Sequence, residues 1–416
     1  LKSTFSQQIR SASFPLCGPR SRASAAQRTM PQWEVVGGAD KGGILVREGE
    51  GLKSPATSER LSTGAIVDEL KLVGERLNYK LVTGTGPAEG WVSLKVSGKE
   101  LLIPKVAPLD AASWPGLLKD TLSAAGAAGT VKEAAPWFRP IGKAPATAKA
   151  RLVIFNWTGN RGGAGSAHAL QPIPKALNTL CGADTWQVCE VAYTGRGTRM
   201  KDPHITDYKM LVSAVADSVG KAGAPLPTLF FGFSFGGILA YETAALLAEK
   251  SFPVLGVVVA SAEHPGWEGR KTGVGKDGGP TKDVKDPAFR KILHEKGGTE
   301  VILQSEDMAK MFVPVIFSDM VMEEGYGAAP PSHDPLPCPI VVFRGEKDPL
   351  IARADVDPWL ELTACKEGTP TRIEELATDL KPTDGSPWLN DWYLLQGEPS
   401  FGAILKAIAK DFGGAS

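Results

Sequence analysis

Histidine and cysteine are scarce in this chain: its 416 residues hold five of each. The cysteines, Cys17, Cys181, Cys189, Cys338 and Cys365, are odd in number, widely spread and never at C-x2-C spacing. That argues against a disulfide framework and against a thiolate metal site. No run of 18 apolar residues occurs, so no membrane span is expected. Charge of either sign is not in excess, with 46 basic against 46 acidic residues, and nothing in that balance points to nucleic acid or an anionic membrane surface. No cofactor and no metal are expected. What remains is ordinary for a soluble globular protein: 43% hydrophobic and 22% charged residues, over a length that allows two or three domains.

Residues 1–30 stand apart. They carry Lys2, Arg10, Arg20, Arg22 and Arg28, no acidic residue, and many serines and alanines. The composition suits an organelle transit segment, a basic tail, or sequence upstream of a start at Met30; poor order is expected in each case. The compartment stays open between organelle-targeted and cytoplasmic.

Residues 31–106 read as a small β domain. Gly43-Ile-Leu-Val-Arg47, Gly64-Ala-Ile-Val-Asp-Glu-Leu70, Leu77-Asn-Tyr-Lys-Leu-Val82 and Gly90-Trp-Val-Ser-Leu94 are apolar at strand length and separated by glycine turns, a spacing that suggests a small barrel. Gly90-Trp91-Val92-Ser93 together with Val46-Arg47 resembles the bacterial-type SH3-like domain. That resemblance implies binding of peptides, cell-wall material or other domains of the same chain, and hence a possible protein partner. Trp91 is expected in the core of this domain. Residues 107–136 are rich in alanine and proline and read as a linker, with one helix expected at Trp114–Leu122.

From residue 137 to 416 the pattern changes to alternating strands and helices. Arg151-Leu-Val-Ile-Phe155, Trp186 to Ala192, Pro227 to Phe231, Val254 to Ala260 and Pro339-Ile-Val-Val-Phe343 are continuous apolar runs rich in β-branched residues. Such runs predict a parallel sheet covered on both faces, with ligands bound beyond the carboxyl ends of its strands. At one such end lies Gly232-Phe233-Ser234-Phe235-Gly236-Gly237, between a strand and the helical run Ile238 to Glu249. A Gly-x-Ser-x-Gly in that setting is the nucleophile elbow of α/β-hydrolases, a tight turn that lifts a serine hydroxyl above the sheet. The fold class predicted is therefore α/β, an α/β-hydrolase with a lid over about 265–335, plus the small all-β domain.

The resemblance then becomes more specific. Trp137-Phe-Arg-Pro140, Arg151 to Gly159, Gly195-Arg-Gly-Thr-Arg199, Phe231 to Glu242, Gly297-Gly298-Thr299, Phe312 to Asp319 and Pro339 to Asp348 occur in order. Together they resemble the type II thioesterases of polyketide and nonribosomal peptide synthesis. The resemblance implies hydrolysis of acyl or polyketidyl thioesters on a pantetheine arm, from an acyl carrier protein or acyl-CoA. It implies Ser234 as nucleophile and Asp348, in a Gly-x-x-Asp turn after its strand, as the residue that orients the base; the other reading of Asp348 is a turn or helix-cap aspartate. The oxyanion would be held by the backbone N–H groups of Phe235 and Thr158.

The base is the departure. The family's C-terminal histidine falls on Asp391, in Asn390-Asp391-Trp392-Tyr393, and no histidine follows His333. His168 reads as a surface loop residue, His204 opens a helix, His294 lies on a lid helix and His333 in a polar loop. His264, just past the strand Val254 to Ala260, is either a substitute base or a rim residue. Loss of the histidine base costs a serine hydrolase about 10⁶ in turnover. A direct Asp391 base, with an ordinary pKa near ~3.9, is poorly matched to a serine proton. Three readings stay open: a thioesterase with a shifted base, an inactive homologue that binds acyl chains or proteins, and a general ester or amide hydrolase.

Overall fold

The computed structural model describes residues 32–105, Leu118, and residues 137–142, 148–157, 170–182, 185–221, 226–250, 252–296, 300–327, 333–346, 348, 351–365, 369–377 and 400–413. The basic segment 1–30, the remainder of the expected helix 114–122, His168, Thr158 and Asp391 lie outside them. The described residues fall into two compact units that divide between Leu102 and Ile103.

The first unit is all-β. Its strands are β1 (Gln32–Val35), β2 (Ile44–Arg47), β3 (Ala56–Leu61), β4 (Ile66–Val73), β5 (Arg76–Thr83), β6 (Glu89–Ser93), a hairpin of β7 (Lys95–Val96) and β8 (Lys99–Glu100), and β9 (Leu102–Lys105). Seven of them form one sheet in the order β3-β2-β6-β5-β4-β1-β9, and the pairings β1·β4, β2·β3, β2·β6, β4·β5 and β5·β6 are antiparallel. Trp33, Val35, Val46, Val67, Leu77, Tyr79 and Val92 make its core. Trp91 is not part of that core: it is half-buried, with the Lys71 ammonium 5.7 Å from its ring. Successive strand residues face opposite sides of the sheet. Val92 faces inward with no exposure, so Trp91 faces out, and Trp33 is the tryptophan of the core.

The second unit is a three-layer α/β structure. In chain order it contains β10 (Phe138–Pro140), β11 (Ala150–Phe155), α1 (Pro172–Cys181), β12 (Trp186–Val191), α2 (Tyr208–Lys221), β13 (Thr228–Phe233), α3 (Phe235–Glu249) and β14 (Val254–Ala260). There follow α4 (Pro287–Lys296), α5 (Glu300–Gln304), α6 (Glu306–Tyr326), β15 (Ile340–Gly345), α7 (Arg353–Val356), β16 (Arg372–Leu376) and α8 (Ser400–Phe412). The sheet order is β10-β12-β11-β13-β14-β15-β16. β10 runs antiparallel to β12 and the other pairings are parallel.

Alternation along the strands builds two cores. Leu152, Ile154, Leu229, Phe231, Val341 and Phe343 point to one face, where α1 and α8 bring Ile173, Leu177, Ile404, Ile408 and Phe412. Val153, Phe155, Phe230, Val257, Val259 and Val342 point to the other, against Val215 and Val219 of α2 and Ile238 and Leu239 of α3. Each such side chain contributes roughly 1.5–3 kcal/mol on burial. Between β14 and β15, Val274, Phe289, Leu293, Ile302, Ala309, Val313, Ile316 and Met320 form a separate small core among α4, α5 and α6.

Strand order reverses between β11 and β13: from β11 the chain moves outward to β12, then returns to the other side of β11. The crevice above such a switch point is where α/β sheets bind ligands. Phe155 is in register with Gly232, so the segment after β11 and the turn after β13 leave the sheet side by side. The turn is tight. Ser234 has φ 53° and ψ −137°, a conformation that costs a non-glycine residue about 1–3 kcal/mol. A Cβ on Gly236 would stand 2.3 Å from the Phe155 carbonyl oxygen, and one on Gly232 would stand 2.3 Å from the Gly236 carbonyl oxygen.

Two outcomes are expected. Gly236→Ala destabilises the protein by about 1–3 kcal/mol through overpacking, read as a lower urea midpoint; an unchanged midpoint would show that the helix start has room. A chain beginning near Ala134 stays soluble and unfolds in a single cooperative transition followed by circular dichroism, because the α/β unit has its own two cores. Insoluble protein would contradict that independence.

Candidate active site

Ser234 sits between β13 and α3. Its N–H donates to the Ala260 carbonyl at 2.9 Å and its own carbonyl accepts from the Gly237 N–H at 2.8 Å, so the turn is tied to β14 on one side and to α3 on the other. The residue is half-exposed in an otherwise buried stretch. Phe235 is the first residue of α3, and the first N–H groups of a helix have no partner within it. Together with the helix dipole they favour negative charge beside the serine. Among the described residues no side chain hydrogen-bonds to the Ser234 hydroxyl.

Asp348 follows β15, which lies next to β14 in the sheet. It is buried; its N–H donates to the Gly345 carbonyl at 3.1 Å and its carboxylate accepts from the Ile351 N–H at 3.1 Å. It therefore performs the turn-forming role. His264 follows β14 and is fastened from three sides. Its N–H donates to the Asp355 carbonyl at 2.8 Å, its Nδ1 donates to the same carbonyl at 3.0 Å, and its own carbonyl accepts from the buried Arg270 at 2.9 Å. With the proton on Nδ1, Nε2 carries the lone pair, which is the tautomer a base requires. The hydrogen bonds of His264 run to Asp355, Trp267 and Arg270, and among the described residues none joins it to Ser234. Thr158 and Asp391 are not among the described residues.

Several residues around the crevice were not singled out from the sequence. Asn156 donates to the Glu190 carboxylate at 3.3 Å, and Glu190 also pairs with Arg139. Burial pushes the Glu190 carboxyl upward against the opposing pull of Arg139. This trio joins the end of β11 to β12 and β10. Arg196 forks both terminal nitrogens onto both oxygens of Asp319, joining the loop after β12 to the middle of α6. The Tyr326 hydroxyl at the end of α6 donates to Glu242 of α3 at 2.7 Å.

His333, expected in a polar loop, is instead partly buried. Its ring centroid lies 4.9 Å from that of Tyr241 and its Nε2 lies 3.5 Å from Glu242. Burial lowers its pKa, but the hydrogen bonds to Glu242 and the Asp334 carbonyl outweigh burial, and the net shift is upward. His204 is exposed, with its ring against Gly195, and His294 lies on α4. No sequence signal short of pairing charges across the fold could have found these contacts.

Aromatic rings line the turn. Trp157, just past β11, has its ring centroid 4.8 Å from that of Phe235 and 5.9 Å from that of Tyr193; Phe235 is 5.6 Å from Tyr326. Among the described residues no group of three or more histidine, cysteine or acidic side chains could hold a metal ion, and no helix is long and apolar enough to cross a membrane. Among the described residues Cys181, Cys189 and Cys338 form no disulfide. Burial pushes the Cys189 thiol up to about 11 and raises Cys338 further.

This geometry can be set against known proteins. The chain is 29% identical over 234 residues to a probable cadicidin biosynthesis thioesterase of Streptomyces griseus, covering 55% of this chain and 58% of the relative. It thus spans less than two thirds of that protein's length. It is 28% identical over 225 residues to the medium-chain S-acyl fatty acid synthase thioesterase of Rattus norvegicus, covering 52% of this chain and 76% of the relative. Among solved structures, the RedJ thioesterase of the prodiginine pathway of Streptomyces coelicolor superposes with a TM-score of 0.49 at 22% identity, over 66% of this chain and 95% of that one. Residues 161–371, half of the chain, match the family described as the thioesterase domain, and to that family the chain belongs.

Proposed function

We propose that the chain hydrolyses acyl or polyketidyl thioesters of a pantetheine thiol, carried by an acyl carrier protein or coenzyme A, through an acyl–Ser234 intermediate. The observation that carries this reading is the turn itself: a strained, half-exposed serine at the switch point of the sheet, at the start of a buried helix. In the first half-reaction a base takes the Ser234 proton, the Ser234 oxygen attacks the thioester carbonyl, the C–S bond breaks, and the sulfur leaves as thiolate to be protonated by the base or by water. The Phe235 N–H, with that of Thr158, would hold the oxyanion. In the second, water attacks the Ser234 ester and releases the free acid.

The two halves depend on a base unequally. In the first half a base is needed only to take the serine proton, since a thiol with a pKa of about 8.5 departs as thiolate without help; in the second, water must be deprotonated to attack and the serine alkoxide must be protonated to leave. With Asp391 at the family's histidine position, deacylation is the slow step and acyl-enzyme accumulates. Asp348 would orient a base restored at 391, whereas a His264 base would be held by the Asp355 carbonyl that accepts its Nδ1–H. A second reading, an acyl- or carrier-binding homologue with no turnover, is favoured by one observation: among the described residues no imidazole is hydrogen-bonded to Ser234. In either reading the all-β unit, as an SH3-like module over about 31–106, is a candidate docking site for a protein partner, with 107–136 as linker and 265–335 as lid.

Ser234→Ala is expected to abolish both thioester hydrolysis and labelling by a serine-directed phosphonate while leaving the unfolding transition in place; full activity in the purified variant would remove Ser234 as nucleophile. Wild type that labels yet shows no turnover would support the binding reading, and faster cleavage of matched oxyesters than of thioesters would indicate a general esterase. Intact-mass analysis during turnover should show an acyl adduct on wild type. Asp391→His supplies an imidazole with a pKa near ~6.5 and should raise steady-state turnover while lowering that adduct. If His264 is the base, Asp391→His changes little and His264→Ala stops turnover. Ordinary turnover indifferent to both substitutions would refute this assignment of the base.

A further inference from the structure

Beside the candidate nucleophile lie three hydrogen-bond donors that have no partner among the described residues. Trp157 Nε1, Tyr193 OH and Arg196 Nε are all buried and unpaired, on side chains only 3%, 4% and 8% exposed. They belong to one contiguous cluster. Trp157 packs at a tilt against Phe235, the residue after Ser234, and edge-on against Tyr193; the Arg196 guanidinium lies 5.1 Å from the Tyr193 ring centre. Native proteins leave few buried donors unmet, because each unmet donor carries its full desolvation penalty. Three in one wall of side chains packed beside Ser234 call for a ligand that supplies acceptors.

The chemistry of that ligand follows from the donors. An indole N–H and a guanidinium Nε–H can only donate, and a phenol can donate or accept. Burial keeps the Tyr193 phenol protonated, despite the opposing pull of Arg196. The guanidinium charge is already matched: two other nitrogens of Arg196 are taken by Asp319, so the wall suits neutral acceptors rather than a second carboxylate. Resting on the reading of Ser234 as the acylated residue, we propose that Trp157, Tyr193 and Arg196 form a hydrogen-bonding subsite that selects acyl chains bearing keto or hydroxyl oxygens over fully reduced alkyl chains. A reduced chain leaves the donors unmet, and a site built to hydrogen-bond its substrate rejects the analogue that lacks the group.

The test uses stable acyl-pantetheine amides, in which nitrogen replaces the thioester sulfur, so that binding is read without hydrolysis. Octanoyl, 3-hydroxyoctanoyl and 3-oxooctanoyl amides are titrated calorimetrically into the full-length protein, and kcat/KM is measured in parallel on the matching thioesters. We expect at least one oxygenated amide to bind about tenfold or more tightly than the octanoyl amide. Tyr193→Phe, which keeps the ring and removes the hydroxyl, should reduce that ratio several-fold, and Trp157→Phe should do the same by removing the indole N–H. The unfolding midpoint of each variant separates loss of the donor from loss of the fold. Equal affinities in wild type, ratios unchanged in both folded variants, or no binding of any amide would overturn the subsite. A clear binding ratio without thioester turnover would leave the subsite standing and reject the hydrolytic role of Ser234, whereas turnover without preference would do the reverse.

Discussion

The start of α3 is pressed so closely against β11 that no side chain fits at Gly236, whose Cβ would stand 2.3 Å from the Phe155 carbonyl oxygen. From that approach the rest of the site follows. The turn must reverse within one residue, so Ser234 is driven to positive φ. The free N–H groups of the helix start are brought over the same sheet edge from which the segment after β11 departs. Parallel pairing of β11 with β13, and of β13 with β14, holds the three strand ends level. The strain at Ser234 is thus borne by a sheet buried on both faces, which has enough packing energy to support it.

A second constraint acts from above. The Arg196–Asp319 pair lies almost wholly out of water. A buried pair of this kind adds little net stability, since desolvation consumes the attraction, but breaking it by removing one partner is costly. Its contribution is registry: it joins the loop after β12 to the centre of α6, while Tyr326 joins the end of α6 to Glu242 on α3, the helix that follows Ser234. The small core of α4, α5 and α6 is thereby seated at two polar points over the aromatic rings that flank the turn.

The sequence revealed most where the physics is local. Five sheet strands were legible as largely apolar runs, β12 despite its Gln187 and Glu190, and the turn around Ser234 as glycines at fixed spacing. β10 and β16 were not, since Phe138–Pro140 is short and Arg372–Leu376 is mostly charged, as suits strands at the ends of a sheet. In the first unit β3, Ala56–Leu61, is polar and largely exposed and carries no alternation to read. Trp91 was misplaced because its aromatic character suggested core while its register, one residue from the inward-facing Val92, decided otherwise. The Asn156–Glu190–Arg139 and Arg196–Asp319 contacts join residues distant in the chain, and no spacing rule marks them. Asp391, the most telling residue at the level of sequence, is outside the described residues, so its surroundings add nothing to what the sequence says.

The sequestered cysteines bear on how the protein can handle a thioester. Acyl groups pass readily between sulfur atoms, because the attacking and leaving groups are alike, and the thiolate is the form that attacks. A thiolate near the crevice would capture the acyl chain by exchange and carry it as another activated thioester. Here Cys189 is buried within the sheet and Cys338 just before β15, and both are held in the protonated form by lack of solvent. The nucleophile proposed at the strand ends is an oxygen instead. On that proposal, transfer from sulfur to oxygen would run downhill to an ordinary ester, making commitment of the acyl group at this site a one-way event.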